Sequence, residues 1–199
     1  MTETTGVTET LGRRERKKAQ TRKALATAAV RLFTERGFDN VGVRDVAEEA
    51  DVAVTTLFKH FPSKEALIFD EDEGREAALV AAVRDHAPGQ SILDSLRDHL
   101  KRTRMTFHAH SVEFTALMKL VEETPALQEY MHRMWRRHET ALATAISEAI
   151  GAPVGDVRAA ALARFVMESN SLVQGCEDPQ RALDEVFDLL AHGWRDGSR

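Results

Sequence analysis

A single cysteine, Cys176, excludes an intramolecular disulfide framework. Only 5 prolines and 11 glycines interrupt 199 residues, and runs with strand-like alternation are scarce, so most of the chain is free to be helical. No apolar stretch approaches the roughly 18 residues that a membrane span needs. The first ten residues, MTETTGVTET, lack the apolar centre of a signal peptide, so no membrane association and a cytoplasmic location are expected. Glycine-rich phosphate loops and nucleophile elbows are missing too. The histidines cluster only as His108 with His110 and His132 with His138, without the spacing of a metalloprotease helix, and Cys176 has no nearby metal-ligand pattern. These absences argue against an enzyme, a metal site or a cofactor.

What is present is an ordinary globular composition, 43% hydrophobic, with a formal net charge of -5. That sign alone disfavours a nucleic-acid partner, but the charge is uneven. Residues 1–69 hold 12 Lys and Arg against 10 Asp and Glu, and the remainder holds 15 against 22. A DNA-facing N-terminal part and an acidic body kept off the phosphates would produce this split.

Residues 1–18 are read as a disordered basic tail. Seven cations (Arg13, Arg14, Arg16, Lys17, Lys18, Arg22 and Lys23) stand against Glu15 alone, either as a solvated run or as an arm lying on DNA. Leu25, Ala28, Ala29, Leu32 and Phe33 then recur at helical spacing, with Gly37 as the stop, and Phe38 and Val41 are placed to plug the core. From Gly42 to Phe61 two short apolar-periodic segments meet at a tight turn. Val43, Val46, Ala47 and Ala50 form one stripe. Asp51 stands where a left-handed residue is needed, and Leu57 and Phe61 face inward from the second segment. The spacing predicts a helix-turn-helix over 42–61, followed by a helix from Lys64 capped by Ser63. Asp70 to Glu73, four consecutive acids, read as a solvated face that repels DNA.

The span from Ala19 to Leu79 resembles the DNA-binding domain of the TetR family of transcriptional repressors. The resemblance lies in Thr21-Arg22, Ala28-Ala29, Leu32-Phe33, Glu35-Arg36-Gly37-Phe38, Val46-Ala47, Ala50, Val52, Thr56-Leu57-Phe58, His60-Phe61 and Ser63-Lys64-Glu65-Ala66-Leu67. Three positions depart from the family pattern: Asp51 for the commoner Gly, Ala53 for a Ser cap, and Phe58 for a Tyr whose hydroxyl reaches a phosphate. Phe69-Asp70-Glu71-Asp72 and neighbouring matches are similar to a subset that includes mycofactocin-system regulators. The resemblance implies DNA contacts at Arg44, Thr55, Thr56, Lys59, His60 and Lys64. Arg44 can bond guanine O6 and N7 together, or pair with Glu48 one turn on. His60 can face DNA, or be a buried ring packed by Phe61.

Periodic segments continue to the C-terminus, giving an all-α chain with a DNA-binding domain at 19–79 and a helical effector-binding and dimerisation domain at 80–199. Phe107, Phe114, Met118, Met131, Trp135, Phe165 and Asn170 are candidates to line an effector cavity, with ordinary core packing as the alternative. Ser169 and Asn170 are polar groups within an apolar helix and need partners in a pocket or a dimer. The stripe Leu183, Val186, Phe187, Leu190 and Trp194 must be buried, and the resemblance implies that the last two helices pair with their twins in a homodimer. Together these features imply a repressor that binds a palindromic double-stranded DNA operator as a homodimer. A small-molecule effector, apolar or acyl-type, would release it. The alternative is a DNA-binding regulator, activator or architectural protein, without an effector.

Overall fold

The computed structural model describes residues 12–70, 72–106, 112–173 and 175–193, and among these the regular structure is entirely helical. The chain divides into two compact units. The first runs to Asp70 and takes in Lys119–Thr124, and the second holds the rest.

In the N-terminal unit α1 spans Arg13–Arg36 and buries Leu25, Ala28, Ala29, Leu32 and Phe33, the side chains its periodicity selects. It begins at Arg13, so residues 13–18, expected in a tail, form its exposed first turns. No proline or glycine lies between Gly12 and Gly37 to prevent this. Gly37 ends it at a φ of 84°, where its N–H bonds the Phe33 carbonyl at 2.9 Å. The ring of Phe38 meets Phe33 edge-on at 5.1 Å, and Phe38 and Val41 close the core as expected.

Helix α2 is Val43–Glu49 and α3 is Val54–His60. A single 3-10 turn, Glu65–Leu67, replaces the helix expected from Lys64. Ser63 does cap this turn, its Oγ accepting the Ala66 N–H at 3.3 Å. The turn stops because the chain beyond it is tied elsewhere. Arg22 on α1 donates to the carbonyls of His60 and Asp70, both at 2.7 Å, pairs with the Asp70 carboxylate at 2.6 Å, and stacks 4.5 Å above the Phe61 ring. Arg22 therefore fastens the loop after α3 to α1 and is not one of the cations open to DNA.

The second unit consists of α4 (Asp72–Arg84), α5 (Ile92–Thr106), α6 (Val112–Glu123, whose last residues belong to the first unit), α7 (Pro125–Ala149), α8 (Val157–Leu172) and α9 (Pro179–His192). Its core joins Leu79 and Val83 of α4, Leu96 of α5, Leu142, Ala145 and Ile146 of α7, Ala159, Ala163 and Val166 of α8, and Leu183 and Phe187 of α9. Each such Leu or Phe contributes about 1.5–3 kcal/mol by leaving water. Asp156 and Asp178 cap α8 and α9, each accepting two backbone N–H groups. Ion pairs add ties across the helices, Lys101 to Asp184 at 2.6 Å and Arg84 to Glu148 at 2.8 Å.

Two expectations are corrected here. Leu183 and Phe187 are buried in the unit's own core and Val186 and Leu190 are partly buried against it, so the first two have no side-chain surface left for a partner; Trp194 lies outside the described residues. The acidic run is not a uniformly solvated face either. Asp72 is buried, and its carboxylate binds Arg137 Nη2 at 2.6 Å and His138 Nε2 at 2.7 Å, while Glu76 one turn on takes Arg137 Nε at 2.7 Å. A buried carboxylate is tolerable only when charge and hydrogen bonds compensate it in this way. The paired carboxylates in turn hold the Arg137 guanidinium above its ordinary range.

Candidate nucleic-acid interface

Helices α2 and α3 owe their angle to four residues. Ala50 and Asp51 end α2 with N–H bonds to Val46 and Glu48, and Val52 returns its N–H to Ala47 at 2.9 Å. Asp51 adopts a φ of 53°, the left-handed conformation expected there; a β-branched side chain would be strained at this position. Gly42 begins α2 from extended backbone, and its N–H donates to the Asp45 carboxylate at 2.6 Å. This is one half of a capping box, and a spacing of three residues ahead of an apolar run could have revealed it. Ala53 opens α3 with no side-chain cap, leaving its first N–H groups unclaimed by side chains.

Leu57 and Phe61 anchor α3 and are fully buried. Their burial turns Thr55, Phe58 and Lys59, at i, i+3 and i+4, to the outside, with Thr56 half-buried beside them. Arg44 is exposed on the first turn of α2 and makes no ion pair with Glu48. Hydroxyl, guanidinium and ammonium groups thus share the exposed side of one motif, and α3 carries no acid. Neutral and cationic donors in this arrangement can bond base edges and phosphates.

Two of the six expected contacts are turned inward. The Lys64 ammonium donates to the Phe38 carbonyl at 2.5 Å and lies over the Phe38 and Phe33 rings at 4.0 and 5.4 Å. Burial pushes it below its ordinary value, against the pull of Asp39, Glu65 and Asp45. These contacts engage the ammonium in the unit's own packing. His60 is half-buried, with Nδ1 enclosed and without a partner. Burial, together with the charges of Arg22 and Lys18, lowers its pKa and favours the neutral ring. Of the two readings of His60, the packed ring fits this geometry.

The expected effector residues are less convergent. Phe107 lies outside the described residues. Phe114 and Met118 on α6, Met131 and Trp135 on α7, and Asn170 on α8 are half-buried. Phe165 is 56% exposed, which corrects its placement in a cavity: Ala159, Ala163 and Val166 take the inner face of α8 and send Phe165 outward. Ser169 is buried but satisfied locally, donating to the Phe165 carbonyl at 2.7 Å. A groove of about 430 Å³ runs between α4 and α7, lined by Glu76, Ala77, Val80, Arg84, Arg137, Ala141 and Thr144, none of them foreseen. Among the described residues no group of three acids, histidines or cysteines is placed to hold a metal, and no helix is long and apolar enough to cross a membrane.

Residues 25–70 match the family model of bacterial regulatory proteins of the tetR family. The chain is similar to the HTH-type transcriptional regulator TcmR of Streptomyces glaucescens, 30% identical over 129 residues, which cover 61% of this chain and 57% of that protein. It is also similar to MftR of Mycobacterium tuberculosis, provisionally named a regulator of mycofactocin biosynthesis, at 27% identity over 61% of this chain and 63% of the relative. The matched segment thus spans about three fifths of the length of these relatives. In fold the chain is similar to NalD, the secondary repressor of the MexAB-OprM multidrug efflux pump in Pseudomonas aeruginosa. Its TM-score is 0.55 at 16% identity, over 90% of this chain and all of that one.

Proposed function

We propose, from the premise that this chain is a member of the TetR family of bacterial transcription regulators, that it is a repressor which binds a palindromic operator as a homodimer and leaves it when a small molecule binds. The observation that carries the reading is the exposed face of the helix-turn-helix, where Arg44, Thr55 and Lys59 stand clear of the unit's own packing. Arg44 discriminates a base, Thr55 and Thr56 bond base edges or phosphate, and Lys59 neutralises a phosphate. The basic first turns of α1, from Arg13 to Lys18, add sequence-independent attraction.

Dimerisation is assigned to the outer face of α8. Ala161, Phe165, Glu168 and Leu172 follow one another at i, i+4, i+7 and i+11 and are all exposed, with Phe165 at 56% and Leu172 at 67%. A soluble monomer rarely leaves two such side chains on one stripe. Leu189 of α9 is a further exposed apolar side chain of the same unit. A twofold pair would set two copies of α3 about one DNA turn apart, so the operator is an inverted repeat. Phe165→Asp should give a monomer by sedimentation and lose cooperative operator binding; an intact dimer would remove this face from the interface.

Release by an effector is a population shift, so the ligand must prefer the conformation that does not bind DNA. An apolar or acyl-type compound suits the methionines and aromatic rings of α6 and α7. Titration of an operator complex with fractionated metabolites should yield a compound that dissociates it. If none weakens binding, the protein is a regulator without an effector.

A further inference from the structure

In the N-terminal unit, Phe58 is the large apolar side chain that packing leaves outside. It is 51% exposed, one residue from the fully buried Leu57 and three from the fully buried Phe61. No other large hydrophobic side chain among the described residues of that unit is exposed. The ring shares its face of α3 with Thr55 one turn before it and Lys59 next to it, and no acid lies on the helix. A phenyl ring can neither donate nor accept a conventional hydrogen bond, so it gains nothing from a phosphate oxygen or a polar base edge. In the major groove the apolar group that a base pair presents is the C5-methyl of thymine.

We infer that Phe58 packs on a thymine C5-methyl group in each half-site, so that this protein reads one operator position by apolar contact. The inference rests on the DNA-binding reading above and deepens it. Arg44, Thr55 and Lys59 supply polar bonds around the ring, and Phe58 supplies an apolar surface for the methyl that neither cation offers. Closing the ring over the methyl removes both from water, and one buried methyl corresponds to about a fourfold change in affinity.

The test uses the full-length protein and a duplex that it selects from a randomised pool. Each thymine of that duplex is replaced singly by uracil, which deletes the methyl and leaves the hydrogen-bonding edge unchanged. Binding is measured for the unaltered protein, Phe58→Tyr, Phe58→Leu and Phe58→Ala, with melting curves to show that each is folded. At one thymine per half-site, uracil should weaken the unaltered protein and Phe58→Tyr about fourfold. Phe58→Leu should keep part of the difference, and Phe58→Ala should bind both duplexes alike. A flat uracil scan, or a methyl dependence that persists in Phe58→Ala, would overturn the inference while leaving DNA binding intact. Failure to enrich any sequence would overturn the DNA-binding reading and the inference with it.

Discussion

The two units use their paired cations in different ways. In the N-terminal unit Arg22 and Lys64 each reach a backbone carbonyl and an aromatic ring, Arg22 pairing also with Asp70, while the more exposed pair of Arg31 and Glu49 joins α1 to α2. In the second unit cations meet carboxylates between helices, with Arg137 and His138 on Asp72, Arg84 on Glu148 and Lys101 on Asp184. The short α2 and α3 and the 3-10 turn leave chain ends and loops whose carbonyls lack helical partners, and a long side chain can satisfy several at once. A bundle of long helices satisfies its own backbone, so its polar side chains are left to fix helix against helix. The contrast teaches that a cation near a helix-turn-helix is not thereby free to meet DNA. Arg22, Lys59 and Lys64 have the same charge, and only Lys59 is exposed.

The contrast can be broken most sharply at Asp72. Asp72→Ala removes the partner of His138 and Arg137 and should cost about 3 kcal/mol of stability, somewhat moderated because Arg137 is half-exposed. Asp72→Asn keeps an acceptor and should cost less, and a urea midpoint for Asp72→Asn equal to that of the unaltered protein would show that the charge is immaterial. Next, Arg22→Ala should cost about 2 kcal/mol, since two carbonyls and the Asp70 carboxylate lose a charged donor. Arg22→Lys should recover little of this, because an ammonium cannot span the three oxygens from above the Phe61 ring. The smallest effect sharpens the comparison further. Lys59→Ala should leave the melting temperature unchanged and reduce the salt slope of DNA binding by about 0.9 per chain. Lys64→Ala should leave the slope unchanged and cost about 1 kcal/mol of stability. Reversed results would return Lys64 to the phosphates.

The helices were legible because their apolar residues recur at helical spacing, and the turn at Asp51 because few residues tolerate left-handed backbone. The polar groups that brace the fold were not, since runs of like charge suggest solvent. A register signal was nevertheless present. Arg22 precedes Leu25, Ala29 and Leu32 on the buried line of α1, Asp72 and Glu76 precede Leu79 and Val83 on that of α4, and His138 stands between Met134 and Leu142 on α7. A polar residue on an apolar stripe must be partnered, and those four are. The stripe of α9 misled in a different way. Periodicity declares that Leu183 and Phe187 are buried but not against what, and their own core takes them.

In the proposed reading, base discrimination rests chiefly on the exposed guanidinium of Arg44. The most direct measurement compares Arg44→Ala with the unaltered protein on its selected operator and on a random duplex of equal length at equal salt. A base contact predicts a loss of about 1–3 kcal/mol on the operator and little on random DNA, with relaxed selection at one position of each half-site. Equal losses on both duplexes would show that Arg44 meets only phosphate, and would contradict the claim that this face of α2 and α3 reads sequence.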